Sequence, residues 1–145
     1  MRKKNVLFVC VHNSARSVMA EALLNAKCGD EFVASSAGLE PGTLNPLVRE
    51  VLAERGMDVS GHQPRAVFDV IKSGQLFSHV ITVCDDASAQ RCPIFPGVTQ
   101  RLHWSFPDPS QFEGTHEEKL AQTREVLALI EEQIESEFCL ALSLM

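Results

Sequence analysis

Cys10 and Arg16 stand six positions apart, flank the loop Val11-His12-Asn13-Ser14-Ala15, and are followed at once by Ser17. These residue types at this spacing suit the capture of a tetrahedral oxyanion. If the loop closes into a ring, its backbone N–H groups converge on one anion. Arg16 adds a fork of donors matched to two of the anion's oxygens, and a helix opening near Ser17 adds the positive end of its dipole. Cys10 would then lie beneath the anion, in surroundings that favour thiolate over thiol, with the Ser17 hydroxyl placed to donate to the sulfur. Asn13 falls where the turn needs an unusual φ. The alternative for Cys10 is a small buried residue at a strand end, which explains neither Arg16 at a helix start nor Asn13.

Other side chains could extend this chemistry. Asp108, held between Pro107 and Pro109, can protonate a departing oxygen if its turn folds over the loop, because a carboxyl beside an anion and away from water favours its acid form. An aspartate that simply initiates a turn is the equal local reading. Cys84 follows an apolar stretch, and Cys92 lies in the polar loop after it. Together with Cys10 they would permit successive thiol–disulfide exchanges, while singly Cys84 fits core packing and Cys92 a loop thiol. Cys28 and Cys139 have no partner motif and read as free thiols or packing residues. Five cysteines in a chain with a full-sized core argue against a disulfide framework. His62, His79, His103 and His116 are scattered without the spacing of a closed zinc site, so no metal is expected.

These groups must be positioned by a recognisable alternation. Asn5 to Val9 reads as a strand buried on both faces, and the helix from Ser17 carries Val18, Ala22, Leu23 and Leu24 at helical spacing before Gly29. Glu31 to Ser35 is a second strand. Asn45 caps a helix with Pro46 at its first position and Leu47, Val51 and Leu52 on its buried stripe. A weaker helix spans Ala66 to Lys72, Phe77 to Val83 is the next strand and Arg101 to Trp104 the last. Asp85 to Pro96 reads as loop. Thr115-His116-Glu117-Glu118 is a capping box that opens the longest helix, with Leu120, Val126, Leu127, Ile130 and Ile134 inward. The pattern predicts an α/β fold: one domain over residues 1–145, with an open parallel sheet of about four strands and helices on both faces. The apolar tail from about residue 138 has no punctuation to place it. The net charge of −6 offers no footprint for nucleic acid or an acidic membrane. No stretch is apolar and long enough to cross a bilayer, and no secretory signal precedes Cys10, which makes the cytoplasm the expected location.

The Cys10-to-Ser17 loop between a first strand and a first helix resembles that of the low-molecular-weight protein tyrosine phosphatases. The closer likeness is to the thioredoxin-coupled arsenate reductases of that superfamily, carried by Cys84, by Cys92-Pro93 and by the segment His103 to Pro109. The resemblance covers most of the chain. It implies that Cys10 attacks arsenate, with residues 11–16 binding the oxyanion and Asp108 as general acid. Cys84 then attacks the Cys10 sulfur and releases arsenite, Cys92 attacks Cys84, and thioredoxin reduces the final disulfide, a glutaredoxin and glutathione route being the variant. No bound cofactor is implied. Alternative readings are a tyrosine phosphatase, against which stands the absence of any Tyr, and an oxyanion-binding redox sensor. This chain departs from its relatives in several places. His12 replaces a common Gly, Ala15 a further cysteine of some relatives, and the Cys84 to Cys92 interval is a residue longer than in some. Arg65 stands where some members place an aspartate that joins Asn13, Glu21 and Ser36 around potassium, so no potassium dependence is expected.

Overall fold

The computed structural model describes residues 3–93, 95–97 and 100–139, the side chain of Asp86 excepted. The basic first two residues and the tail beyond 139, whose packing the sequence left open, lie outside the described residues. Four strands, β1 (Lys4–Cys10), β2 (Phe32–Gly38), β3 (His79–Thr82) and β4 (Gln100–His103), form one sheet in the order β2-β1-β3-β4. Every pairing is parallel, with Cys10 opposite Gly38 and Val9 opposite Thr82. The chain first moves to one side of β1 and then returns to the other, so the strand order reverses between β1 and β3. Open α/β sheets bind their ligands at the carboxyl ends of the strands flanking such a reversal.

Alternation along β1 divides the core. Val6, Phe8 and Cys10 face a cluster built with helices α1 (Arg16–Cys28), α2 (Pro46–Glu54) and α5 (His116–Ile134). Leu7 and Val9 face a smaller cluster with Val67 and Val70 of α3 (Val67–Lys72). With both faces covered, β1 has no solvent side, which is why its sequence is continuously apolar rather than alternating. The helix starts follow their caps. Asn45 accepts the N–H of Leu47 at 2.9 Å with Pro46 in the first turn, and Thr115 exchanges hydrogen bonds with Glu118 as a capping box.

The structure differs from the sequence expectations at several points. The segment after Cys84 is not wholly loop. Asp85 accepts the Ser88 N–H at 2.8 Å and its hydroxyl at 3.1 Å, and this cap supports the short helix α4 (Asp86–Ala89). β3 begins at His79 rather than Phe77, whose ring packs edge-on against Phe95 in the smaller cluster. On α2 it is Val48, not Leu47, that is fully buried beside Val51 and Leu52. Beyond Ile134 a wider helical turn over Glu135–Cys139 sets Phe138 against Phe32, His79 and Trp104. This places Cys139 beside the last turn of α1, where it forms a disulfide with Cys28 (Cα–Cα 6.0 Å). The expectation of two free thiols is thereby corrected. Their partnership depends on α1 and the end of the chain sharing one face of the sheet, 111 residues apart.

Candidate active site

Cys10 is the last residue of β1 and Arg16 the first of α1, so the loop between them spans a strand end and a helix start. Its carbonyls turn outward. Those of Cys10, Val11, His12 and Ser14 accept N–H groups from Leu39, Glu40, Gly42 and Asn45 at 2.7–3.1 Å, and that of Asn13 accepts from the His62 ring at 3.1 Å. Because each peptide is trans, a carbonyl that points out turns the next N–H the other way. The amides of residues 11–15 therefore line the concave side. Asn13 makes the bend with φ of +53°, the one left-handed non-glycine residue among those described. His12 needs no such conformation; its ring turns away and donates to the Glu40 carbonyl at 2.8 Å. Gly38 lets β2 approach this ring, since a Cβ there would sit 2.8 Å from the Asn13 nitrogen.

The thiol and hydroxyl are wired together. Cys10 Sγ lies 2.8 Å from Ser17 Oγ, and Ser17 Oγ accepts from Asn13 Nδ2 at 3.0 Å. With its oxygen already accepting, the Ser17 hydroxyl proton is available to the sulfur. Asn13 is itself oriented by the Arg65 N–H, which donates to its Oδ1 at 3.0 Å. Arg16 is 6% exposed. One terminal nitrogen donates to the Phe106 carbonyl at 3.2 Å and the other faces Asp108 at 3.4 Å, while its buried Nε has no partner among the described residues. A buried donor without a partner is costly, and here it belongs to the side chain expected to grip an anion. Asp108 initiates a turn, its Oδ1 accepting the Ser110 N–H at 3.0 Å to open Pro109–Gln111, and its other carboxylate oxygen faces Arg16 at 3.4 Å, which brings it to the loop.

Cys84 lies two residues beyond β3, fully buried in the same cluster as Cys10. Burial pushes its thiol up to about 11, with Arg16 pulling the other way and the Cys10 sulfur adding to the rise. Cys92 is not with them. It belongs to the smaller cluster on the other face of the sheet, where burial likewise raises its thiol and Arg101 opposes the rise. The site residues thus fall into two groups, Cys10, Arg16, Ser17, Cys84 and Asp108 together and Cys92 apart.

Next to the loop, Ser36 donates to Glu21 at 3.0 Å, and the Arg65 guanidinium donates to the Ser36 carbonyl at 3.3 and 3.4 Å. Burial raises the Glu21 carboxyl, opposed by the Ser36 hydrogen bond and by His62 and Arg65. Two supports, His62 and Gly38, were not evident from sequence. The histidine lies 49 residues from the carbonyl it holds, and only the glycine's position at a strand end marks it. Among the described residues no group of three or more His, Cys, Asp and Glu side chains could hold a metal ion, and no described helix is long and apolar enough to cross a membrane.

Residues 5–142 match the family model of the low molecular weight phosphotyrosine protein phosphatases. An arsenate reductase of Bacillus licheniformis is 41% identical over 135 residues, 92% of this chain and 94% of that protein. The crystal structure of an arsenate reductase from Archaeoglobus fulgidus superposes with a TM-score of 0.72 at 37% identity, covering 90% of this chain and 96% of that one. A thioredoxin-dependent arsenate reductase of Corynebacterium glutamicum superposes with a TM-score of 0.63 at 35% identity, over 92% of this chain and 61% of that one. The fold, the loop at the strand reversal and these likenesses agree: the chain belongs to the low molecular weight phosphotyrosine protein phosphatase family.

Proposed function

We propose that this protein reduces arsenate to arsenite through Cys10, Cys84 and Cys92. The observation that carries the reading is the inward-facing amide ring over Cys10, completed by the buried, unpartnered Nε of Arg16. Donors preorganised in this way stabilise the charge of a tetrahedral oxyanion and of the transition state formed from it. The Cys10 thiolate attacks arsenic, and an oxygen leaves as water with a proton from Asp108. Cys84 then attacks the Cys10 sulfur. The electron pair of the S–As bond passes to arsenic, As(V) leaves as As(III), and a Cys10–Cys84 disulfide remains. Cys92 attacks Cys84 and frees the Cys10 thiolate, and a dithiol protein reduces the Cys84–Cys92 disulfide. Thioredoxin is the reductant this reading favours, supported by the thioredoxin-dependent relative, and dependence on such a reductant is the reason to expect the protein in the cytoplasm. Because the thiols of Cys84 and Cys92 lie in different clusters, the second exchange requires residues 85–91 to move.

The test is NADPH consumption by the reduced protein with arsenate, thioredoxin and thioredoxin reductase. Wild type turns over continuously, whereas Cys84→Ser and Cys92→Ser each stop after at most one equivalent. Sustained turnover in either variant would sink the relay.

We also propose that turnover needs no potassium. The residues near Asn13, Glu21 and Ser36 do not suit a cation, because the Arg65 guanidinium already donates to the Ser36 carbonyl. Replacing potassium by a bulky organic cation at constant ionic strength should leave the rate unchanged, and strong activation by potassium would contradict this.

A further inference from the structure

Arg101 extends from β4 on the face of the sheet that also carries Cys92, and its terminal nitrogen donates to the Cys92 backbone carbonyl at 2.7 Å. The Cys92 thiol itself donates to the Pro93 carbonyl at 3.6 Å, and the guanidinium charge favours its thiolate against the effect of burial. The thiol is 4% exposed, among Leu7, Val67, Val70, Phe77 and Phe95, none of which ionises. Arg91, the preceding residue, pairs with Glu40 at 3.1 Å, and the His103 ring lies 2.7 Å from the Thr82 hydroxyl. A cleft of ≈ 480 Å³ bounded by Thr82, Ala89, Gln90, Arg101 and His103 opens beside the guanidinium.

A thiol in an apolar cluster is a poor attacker, since exchange needs the thiolate. A fixed cation held on the same residue's carbonyl offsets part of the burial effect. We propose that Arg101 is the positioning residue of the third thiol: anchored on the Cys92 carbonyl, it holds a positive charge beside that residue and readies Cys92 for its attack on Cys84. The proposal rests on the reading of Cys92 as the second resolving thiol. It assigns Arg101 a role separate from Arg16, which serves the oxyanion.

The charge role and a merely structural role predict opposite signs. If Arg101 only tethers the segment, its loss exposes Cys92 and the thiol titrates lower, toward its ordinary range. If Arg101 stabilises the thiolate, its loss moves the titration upward. The experiment uses the full chain carrying Cys10→Ser and Cys84→Ser, with Arg101 intact, Arg101→Gln or Arg101→Lys. Alkylation of Cys92 by iodoacetamide is followed by mass spectrometry from about pH 6 to about pH 11, a range spanning the ordinary thiol value. The expected result is a higher midpoint in Arg101→Gln, with alkylation near neutrality slowed about tenfold for each pH by which the midpoint rises, and a profile close to the parent in Arg101→Lys. An unchanged or lowered midpoint in Arg101→Gln overturns the proposal, as does an Arg101→Lys profile matching that of Arg101→Gln. Cys92→Ser in the turnover assay separately tests the reading beneath it: continued turnover there removes Cys92 from the relay, whatever the alkylation profile shows.

Discussion

Removing the Cys28–Cys139 disulfide should cost stability without costing chemistry. The perturbation is the double substitution Cys28→Ser and Cys139→Ser, made in a chain whose Cys10, Cys84 and Cys92 are already serine so that no other disulfide can form during unfolding. The bond closes a loop with a sequence separation of 111. In the chain-entropy treatment a loop of this length restricts the unfolded state by roughly 16 cal/mol/K, or about 4.8 kcal/mol at 25 °C. Phe138 packs against Phe32, His79 and Trp104 without using either sulfur, so the variant should keep these contacts and most of the loss should come from the freer unfolded chain. At about 2–4 °C per kcal/mol for a domain of this size, Tm should fall by about 10 °C or more. Urea melts should also show a larger m-value, because the unlinked chain exposes more surface on unfolding. Calorimetry and urea titration without reductant measure both quantities. A stability difference below about 1 kcal/mol with an unchanged m-value would refute the reasoning, for it falls under the usual range for removal of a native disulfide. Placed in the chain with its other cysteines intact, the same double substitution should leave arsenate turnover at the wild-type rate, since neither sulfur touches the loop.

Burial also holds two other groups uncharged, with measurable results. In a Cys10→Ser, Cys92→Ser chain, alkylation of Cys84 should accelerate about tenfold per pH unit from neutrality up to about pH 11, where its thiol is expected to ionise; a plateau below pH 9 would contradict the burial argument. His79 lies between the rings of Phe32 and Phe138, and desolvation, with Lys4, pulls its basicity below the ordinary value of 6.5. A depressed value gives stability that is present above 6.5 and lost as pH falls through the folded-state value. His79→Gln should therefore lose less stability than wild type between about pH 7 and about pH 5, and parallel pH curves from urea melts would count against it.

How legible the molecule was depended on how local its causes were. The buried run of β1, the Asn45-Pro46 start and the Thr115–Glu118 capping box are each written in consecutive residues, and the folded chain keeps them. The anion loop could also be anticipated, down to the left-handed Asn13, because Cys10, Arg16 and Ser17 are seven residues apart at most. What escaped notice depends on distant partners. Nothing near Cys28 points to Cys139, and nothing near His62 points to the Asn13 carbonyl. Helix α4 escaped because four residues held by one aspartate cap leave no hydrophobic period to read. The separation of Cys92 from Cys84 was hidden for a related reason: eight positions of sequence give no hint that a chain has passed from one side of a sheet to the other.

That separation gives the sheet a use besides support. On the reading proposed above, the oxyanion would meet Cys10 on the side of α1 and α5, while Cys92 rests on the side of α3. Electrons from a protein donor would then come in through Cys92 and reach Cys84 only once residues 85–91 carry the two thiols together, with β1 and β3 between their resting positions. A bulky reductant and a small oxyanion would then approach the sheet from opposite sides.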